Sequence, residues 1–192
     1  MSSARIACCV VLIAGLLFPD GAKAEEVVTV PLKIQASIIA KVLGYDRNLP
    51  KRSGKSVVIG VVTDGRSADL RAELRDAFSL LSKKQIAQLP VSVISIHANQ
   101  ADRVDSQCEA ALLNVIYVSQ RSADDTIKAV LAWAQRKKIP AFCDSERLVE
   151  RGFVFGVGVE NERPRMIINL SQVKPQGLAL PASVLQLAKI IR

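Results

Sequence analysis

Two hydrophobic patterns alternate along the chain. Continuous apolar runs rich in β-branched residues are typical of strands buried on both faces, and the clearest run covers residues 56–63. Apolar residues spaced by 3.6 positions indicate amphipathic helices, and the clearest case is Leu32–Tyr45, where Ile34, Ile38 and Val42 form one stripe. The alternation of strand and helix patterns predicts an α/β fold.

The other elements follow the same two patterns. We predict further strands at residues 91–96, 112–118, 139–143, 153–159 and 166–170. We predict further helices at residues 68–81, 123–137 and 181–191, with one or two helical turns within residues 101–108. Glu160-Asn161-Glu162 predicts a hairpin between the last two strands. We therefore expect a three-layer α/β fold, in which a mostly parallel sheet carries helices on both faces and an antiparallel C-terminal hairpin forms its edge.

Capping residues support two of these helices. Ser67 stands where the N-cap of helix 68–81 is expected, and Ser122 stands before helix 123–137. Asp124 and Asp125 occupy the first turn of that second helix, where negative charge complements the helix dipole.

The N-terminal segment has the pattern of a targeting signal. Arg5 precedes an almost unbroken apolar run over residues 6–18, and Ala22-Lys23-Ala24 is an A-x-A cleavage pattern. The run is shorter than the roughly 20 residues that span a bilayer. We predict a cleaved signal peptide over residues 1–24, one exported domain over residues 25–192, and no transmembrane segment after cleavage.

The charge of the mature domain narrows the classes of partner. Removing residues 1–24 from the total of 26 basic and 18 acidic residues leaves 24 and 17, a net charge of +7. An exported chain rarely meets nucleic acid, so the charge favours an acidic protein surface, anionic lipid headgroups or an anionic ligand. The other interpretation is that the basic residues, which are scattered along the chain, serve only to keep the protein soluble.

Cys108 and Cys143 are the two cysteines that remain after cleavage. Cys108 precedes one predicted strand and Cys143 ends the next, which places them at opposite ends of parallel neighbours. At about 3.3 Å per residue their separation would exceed the roughly 7 Å Cα limit of a disulfide. We expect both thiols to be free or paired between chains.

Catalytic and cofactor patterns are weak in this sequence. His97 is the only histidine, and no cysteine or carboxylate cluster accompanies it as a metal site requires. Cys143 has no candidate base other than His97, which lies in a different loop. Gly156-Val-Gly158 lies within a predicted strand and lacks the third glycine of a dinucleotide loop. We therefore expect no enzyme, no cofactor and no metal.

Two polar segments are the candidate sites for binding a partner or ligand. The first segment, at the end of the first helix, comprises Tyr45, Asp46, Arg47 and Asn48. The alternative to a binding role is a helix-ending turn in which Asp46 or Asn48 bonds the backbone and Arg47 pairs with Asp46.

The second candidate segment lies after the first strand. Asp64, Arg66 and Ser67 connect that strand to a helix N-terminus whose free N–H groups suit an anion. Simple N-capping explains this loop equally well.

The C-terminal part of the chain carries a family pattern. The strand at residues 163–170 ends in Asn169-Leu170, Gly177-Leu178 follows, and a predicted helix contains Leu185-Gln-Leu-Ala188. With Cys108 before a strand that ends at Ser119, this pattern resembles the YfiR-like family of periplasmic regulatory proteins. This chain departs from the family pattern in two features. Typical members have an aromatic-rich first helix that ends near Trp-Pro, and the disulfide-bearing members have more cysteines than the two that remain here after cleavage. From the residues alone, Asn169 is expected to bond the following turn or cap a helix.

The resemblance implies a function that the residues alone do not reveal. It implies a non-enzymatic periplasmic regulator, often dimeric, that binds the exported domain of an inner-membrane signalling protein. In the best-studied members that protein is a diguanylate cyclase, whose cyclic-di-GMP output is repressed. The alternative is a periplasmic protein that binds a small ligand, an anion or an amino acid, and resembles one lobe of a transporter's solute receptor.

Overall fold

The computed structural model describes residues 29–64, 66–98 and 103–192. The predicted signal peptide lies outside these residues. The strands are β1 (Val57–Thr63), β2 (Gln85–Ile86), β3 (Leu89–His97), β4 (Val115–Val118), β5 (Ala141–Cys143), β6 (Phe155–Glu160), β7 (Arg163–Asn169) and β8 (Lys189–Ile191). The helices are α1 (Leu32–Tyr45), α2 (Leu49–Ser53), α3 (Ala68–Ser79), α4 (Val104–Ala110), α5 (Asp124–Lys137), α6 (Glu146–Glu150), α7 (Leu170–Val173) and α8 (Ala182–Gln186), and a 3₁₀ turn covers Leu80–Lys83.

The eight strands form one sheet in the order β2-β3-β1-β4-β5-β6-β7-β8. The five strands β3, β1, β4, β5 and β6 are parallel neighbours, and β8 is parallel to β7. The hairpin partners β6 and β7 are antiparallel, as are β2 and β3. The predicted α/β class with a mostly parallel sheet is confirmed.

Helices cover both faces of the sheet, because successive residues of a strand point to opposite sides. In β4, Val115 and Tyr117 pack into one apolar core, which also contains side chains of α1 and α3. Ile116 and Val118 pack into a second core on the other face, with side chains of α4, α5 and α6. This is the three-layer arrangement that the sequence predicts.

The prediction of one helix over residues 181–191 is wrong in its second half. Helix α8 ends at Gln186, and Lys189–Ile191 then forms β8 along the free side of β7. Ile190 and Ile191 are β-branched, so their local preference agrees with the strand. The hairpin therefore lies one strand in from the edge, and β8 is the edge strand.

Two local features also differ from expectation. The segment after α1 contains the short helix α2, which is absent from the predicted elements, and Pro50 occupies its first turn, a position that proline tolerates. Asn169 stands before α7, but its Nδ2 donates to the Val149 carbonyl at 2.9 Å and its Oδ1 accepts from the Ser171 hydroxyl at 2.6 Å. Asn169 therefore ties the end of β7 to α6.

Among the described residues, no helix combines the length and apolar character needed to cross a membrane.

Candidate functional site

Asp46, predicted as a binding residue, ends α1 inside the protein with a fully buried side chain. Its Oδ1 accepts hydrogen bonds from the backbone N–H groups of Asn48 at 3.0 Å and Ala179 at 2.9 Å. Its Oδ2 lies 2.6 Å from Nη1 of Arg52 in α2. The expected pairing of Asp46 with Arg47 is therefore wrong, because α2 brings Arg52 back over the helix end.

The same network reaches Gly177, far along the chain. The Gly177 carbonyl accepts hydrogen bonds from Asn48 Nδ2 at 3.2 Å and from Arg52 Nη1 at 3.1 Å. Gly177 has a φ of 78°, and a Cβ at this position would lie 3.0 Å from the Lys138 carbonyl oxygen. We call Asp46, Asn48, Arg52, Gly177 and Ala179 the Asp46 hub. The hub fixes the end of α1 against the segment that follows α7.

A groove of about 990 Å³ lies beside this hub, and we call it the α7 groove. Its lining includes Arg47, Asn48, Leu170, Val173, Lys174 and Leu185. The lining residues include two basic side chains and no acidic one. The Arg47 backbone N–H donates to the Ala179 carbonyl at 3.1 Å, while its side chain is exposed. The structure therefore places Arg47 and Asn48 at an apolar, positively charged groove.

Tyr45 is exposed over 57% of its surface at the end of α1, directly before the hub. Leu170, in the lining of the α7 groove, is exposed over 40%. Large apolar side chains at this exposure lie where a partner could cover them. Of the four residues predicted at the end of α1, Asp46 and Asn48 belong to the hub, and Tyr45 and Arg47 have exposed side chains.

Asp64, from the second predicted segment, is also buried. Its Oδ2 accepts a hydrogen bond from the Ala123 backbone N–H at 2.6 Å, at the start of α5. Asp64 therefore binds the N-cap residue of α5, and that helix has no side-chain cap hydrogen bond. The predicted cap Ser122 does not serve as one, since its Oγ has no partner among the described residues.

Ser67 caps α3, as predicted, by accepting a hydrogen bond from the Leu70 N–H at 3.1 Å. Arg66 is exposed. This segment lies at the carboxyl ends of the parallel strands and is not joined to the Tyr45 segment. Ser67 serves helix capping, as the simpler of the two interpretations of the loop expects, and the Asp64 carboxylate is occupied by the Ala123 N–H.

Asp144, which sequence reasoning did not select as a binding residue, is a second buried carboxyl group at this edge of the sheet. It follows β5, accepts a hydrogen bond from the Ser119 hydroxyl at 2.6 Å and accepts another from the Gln120 N–H at 2.6 Å. Burial raises the pKa of Asp144 above its ordinary value, and the two hydrogen bonds oppose part of that rise. Its position directly after a buried strand is the signal that could have revealed it.

The two cysteines are free and buried, as expected for thiols that do not form an intrachain disulfide. Burial and the nearby Asp105 carboxylate raise the pKa of Cys108 to about 12. Burial also raises the pKa of Cys143 well above its ordinary range. Neither sulfur is a thiolate at neutral pH, so neither is an activated nucleophile.

His97 lies at the end of β3 within hydrogen-bonding distance of Thr63, with 3.2 Å between Nδ1 and Oγ1. The Gln107 side chain accepts from the His97 N–H at 2.8 Å and donates to its carbonyl at 2.9 Å. Within residues 29–64, 66–98 and 103–192, no group of three or more His, Cys, Asp or Glu side chains could hold a metal ion.

Known structures share this architecture. The ABC domain in complex with L-Trp from Streptococcus pneumonia has a TM-score of 0.60 at 16% identity and is matched over 84% of this chain and 62% of that one. A conserved domain protein from Vibrio cholerae has a TM-score of 0.63 at 18% identity, with 84% and 60% covered. A ligand-free, open substrate binding protein with adhesive properties from Clostridium difficile has a TM-score of 0.53 at 16% identity, with 76% and 57% covered.

These matches show the fold alone, and the chain spans about 60% of the length of the structures it matches. No curated protein sequence matches the chain significantly. A family model described as YfiR/HmsC-like matches residues 32–189.

Proposed function

The chain belongs to the YfiR/HmsC-like family, and from this premise we propose that it is a periplasmic regulator that binds the exported domain of an inner-membrane signalling protein. The family supports the periplasmic regulatory role in general. The particular partner, and the repression of a diguanylate cyclase, are parts of the proposal.

The observation that carries the proposal is the α7 groove beside a rigid hub. The Asp46 hub holds the backbone after α1 by buried hydrogen bonds, and the side chains of Tyr45 and Arg47 remain exposed next to them. A preorganised surface loses little conformational entropy on binding. Exposed tyrosine and arginine residues are also the types most often found at energetically important interface positions.

Charge supports the choice of partner surface. Arg47 and Lys174 are the charged residues of the groove lining, and both are positive. The chain as a whole carries a formal net charge of +8. Complementary charge raises the rate of association and selects the partner. We therefore propose that the partner presents an apolar segment flanked by acidic residues.

Site-specific photo-cross-linking in the periplasm tests this proposal. A photoreactive phenylalanine analogue replaces Tyr45, and the matched control carries it at Arg163, an exposed residue at the opposite end of β7 from Leu170. We expect the Tyr45 position alone to cross-link to an inner-membrane protein with a signalling domain. Equal yields at the two positions, or cross-links to soluble proteins only, would contradict the proposed surface.

A genetic measurement tests the regulatory role itself. We expect deletion of the gene to change the output of the cross-linked partner, measured as cyclic-di-GMP if the partner is a cyclase. Arg47→Glu should fail to complement the deletion, whereas Arg163→Glu, with the same change of charge, should complement it. Unchanged signalling output on deletion would overturn the proposal.

Self-association is also part of the proposal, since the resemblance implies a dimer. Strand β8 is an outer strand of the sheet, and Leu187 and Ile190 are exposed beside its unpaired edge. Two copies paired along this edge would satisfy its backbone groups. Sedimentation equilibrium should show a dimer that Ile190→Lys dissociates; a monomer for the unmodified mature chain would exclude it.

A further inference from the structure

A second cavity, of about 800 Å³, lies at the amino-terminal edge of the parallel strands. It lies between the ends of α4 and α5 and the segments that lead into β1, β4 and β5, and we call it the amino-edge cavity. Small-molecule sites in proteins have volumes of about 300–1,000 Å³. The cavity shares no lining residue with the α7 groove.

Three hydrogen-bond donors that line this cavity lack an acceptor. Trp133 is exposed over only 2% of its surface and Ser53 over 8%, and neither Trp133 Nε1 nor Ser53 Oγ has a hydrogen-bonding partner among the described residues. Arg52 Nη2 is also buried without a partner, although Arg52 Nη1 serves the Asp46 hub. Buried polar groups are nearly always paired, so three unpaired donors along one cavity indicate a missing acceptor.

The charges around the cavity do not oppose an anion as that acceptor. Arg52, Lys55 and Lys137 line it with a single acidic residue, Glu109, which pairs with Lys137 at 2.7 Å. Arg52 is paired with the buried Asp46 outside the lining, and the C-terminal ends of α4 and α5 each contribute about half a negative charge. Lys55 offsets these two helix ends, so the surroundings are close to neutral, and the three unpaired donors are what favour an anion.

The remaining wall of the cavity is apolar. Val58, Leu113 and Ile139 contribute to it, and Leu112 lies at its surface with 80% of its area exposed. Leu112 also has a φ of 51°, in the left-handed region that non-glycine residues rarely adopt. Such conformations concentrate at sites where a ligand or partner binds.

We propose that the amino-edge cavity binds a small amphipathic anion. Its carboxylate or phosphate oxygens accept hydrogen bonds from Ser53, Trp133 and Arg52, and its apolar body covers Leu112. This site shares Arg52 with the Asp46 hub but no lining residue with the α7 groove, and the proposal does not rest on the regulatory role proposed for that groove.

Titration of the mature protein with octanoate tests the proposal, with octan-1-ol as the neutral probe of the same chain length. Isothermal titration calorimetry measures affinity. Trp133 is the only tryptophan in the chain, so a change of intrinsic tryptophan emission locates the binding event. We expect saturable one-to-one binding of octanoate with a change in that emission, and binding of octan-1-ol at least about tenfold weaker, because a hydrogen bond to a charged group contributes roughly that much.

Conservative variants locate the site. Ser53→Ala and Trp133→Phe each remove one donor and leave the apolar wall in place, and each should weaken octanoate binding by about tenfold. Ser122→Ala is the matched control, because Ser122 Oγ is equally buried and unpartnered but lies at the other edge of the sheet. Thermal unfolding confirms that each variant folds, and either donor variant alone is sufficient for the test.

Three results would overturn the proposal. They are the absence of saturable octanoate binding, equal affinity for octan-1-ol, and a loss of affinity in Ser122→Ala as large as that in the donor variants.

Discussion

The Asp46 carboxylate lies 2.6 Å from the Arg52 guanidinium, and this ion pair joins the end of α1 to α2. Both side chains also form hydrogen bonds to the segment that follows α7. The Asp46 side chain is fully buried and that of Arg52 is 17% exposed. Ion pairs that are buried to this extent are sensitive to the loss of one partner, because the remaining charge is left without compensation.

We predict that Asp46→Ala lowers the free energy of unfolding by about 3–5 kcal/mol. The substitution leaves the Arg52 charge partly buried and removes the acceptor of the Asn48 and Ala179 N–H groups. Urea unfolding at neutral pH measures the change. Asp76→Ala is the control, because the Asp76–Arg75 pair is exposed on both sides, and it should change stability by less than about 1 kcal/mol. Equal effects of the two substitutions would show that the Asp46 hub does not stabilise the fold.

Two glycine substitutions should have opposite signs. Gly177→Ala places a Cβ 3.0 Å from the Lys138 carbonyl oxygen at a φ of 78°, so we expect a loss of about 1–3 kcal/mol. Gly44→Ala, in the last turn of α1, meets nothing within 4 Å, so we expect a gain of about 0.5–1 kcal/mol. Thermal or urea unfolding of both variants makes the comparison. Stabilisation by Gly177→Ala would show that its backbone relaxes without strain.

Asp144 should make stability depend on pH in the direction opposite to most carboxylates. Because burial raises its pKa in the folded state, the folded chain holds this proton more tightly than the unfolded chain. The resulting stability is fully present below the unfolded pKa and is lost as pH rises through the folded pKa. We predict that the stability of Asp144→Asn, relative to the unmodified chain, increases with pH across that window and is constant above it. Urea unfolding at a series of pH values measures this, with the exposed Asp76→Asn as the control; a constant difference across the window would contradict the prediction.

The two thiols should be unreactive while the protein is folded. Burial holds the pKa of Cys108 near 12 and raises that of Cys143 further, so thiolate is scarce at pH 8. We predict that iodoacetamide at pH 8 modifies neither cysteine until denaturant is added, and then modifies both. Mass spectrometry counts the adducts. Rapid alkylation of the folded chain, or a disulfide-linked dimer on a non-reducing gel, would contradict the burial of these residues.

The sequence was sufficient for the elements whose pattern is long and internally consistent. Helix α1 has the predicted bounds, and β1 differs from its prediction by one residue. Both carry strong periodic or continuous apolar signals. The prediction of one continuous helix at the end of the chain is wrong because the apolar pattern of residues 182–191 fits both a helix and a strand. Lys189–Ile191 forms a strand because it pairs with β7. The local sequence pattern holds no information about this tertiary contact.

The candidate sites were predicted less well, for a related reason. The exposed residues Tyr45 and Arg47 were selected by residue type alone. Their binding role stays a prediction, and their place beside the α7 groove supports the proposed partner surface. Asp46, selected for its residue type, and Asp64, selected for its place between a strand and a helix, are both buried, because their partners are the backbone N–H groups of Ala179 and Ala123, which no nearby sequence signal identifies. A short polar loop has the same appearance in sequence whether it binds a ligand or caps a helix.

The Asp46 hub also has a consequence for how the chain reaches its compartment. Its hydrogen bonds join residues separated by 125 to 133 positions. The end of α1 therefore is not fixed until nearly the whole chain is present, although α1 packs against α3, which is near it in sequence. Contacts at such long range form late in folding. If the predicted signal peptide exports the chain in an extended form, the hub delays completion of the fold until the last segments have emerged.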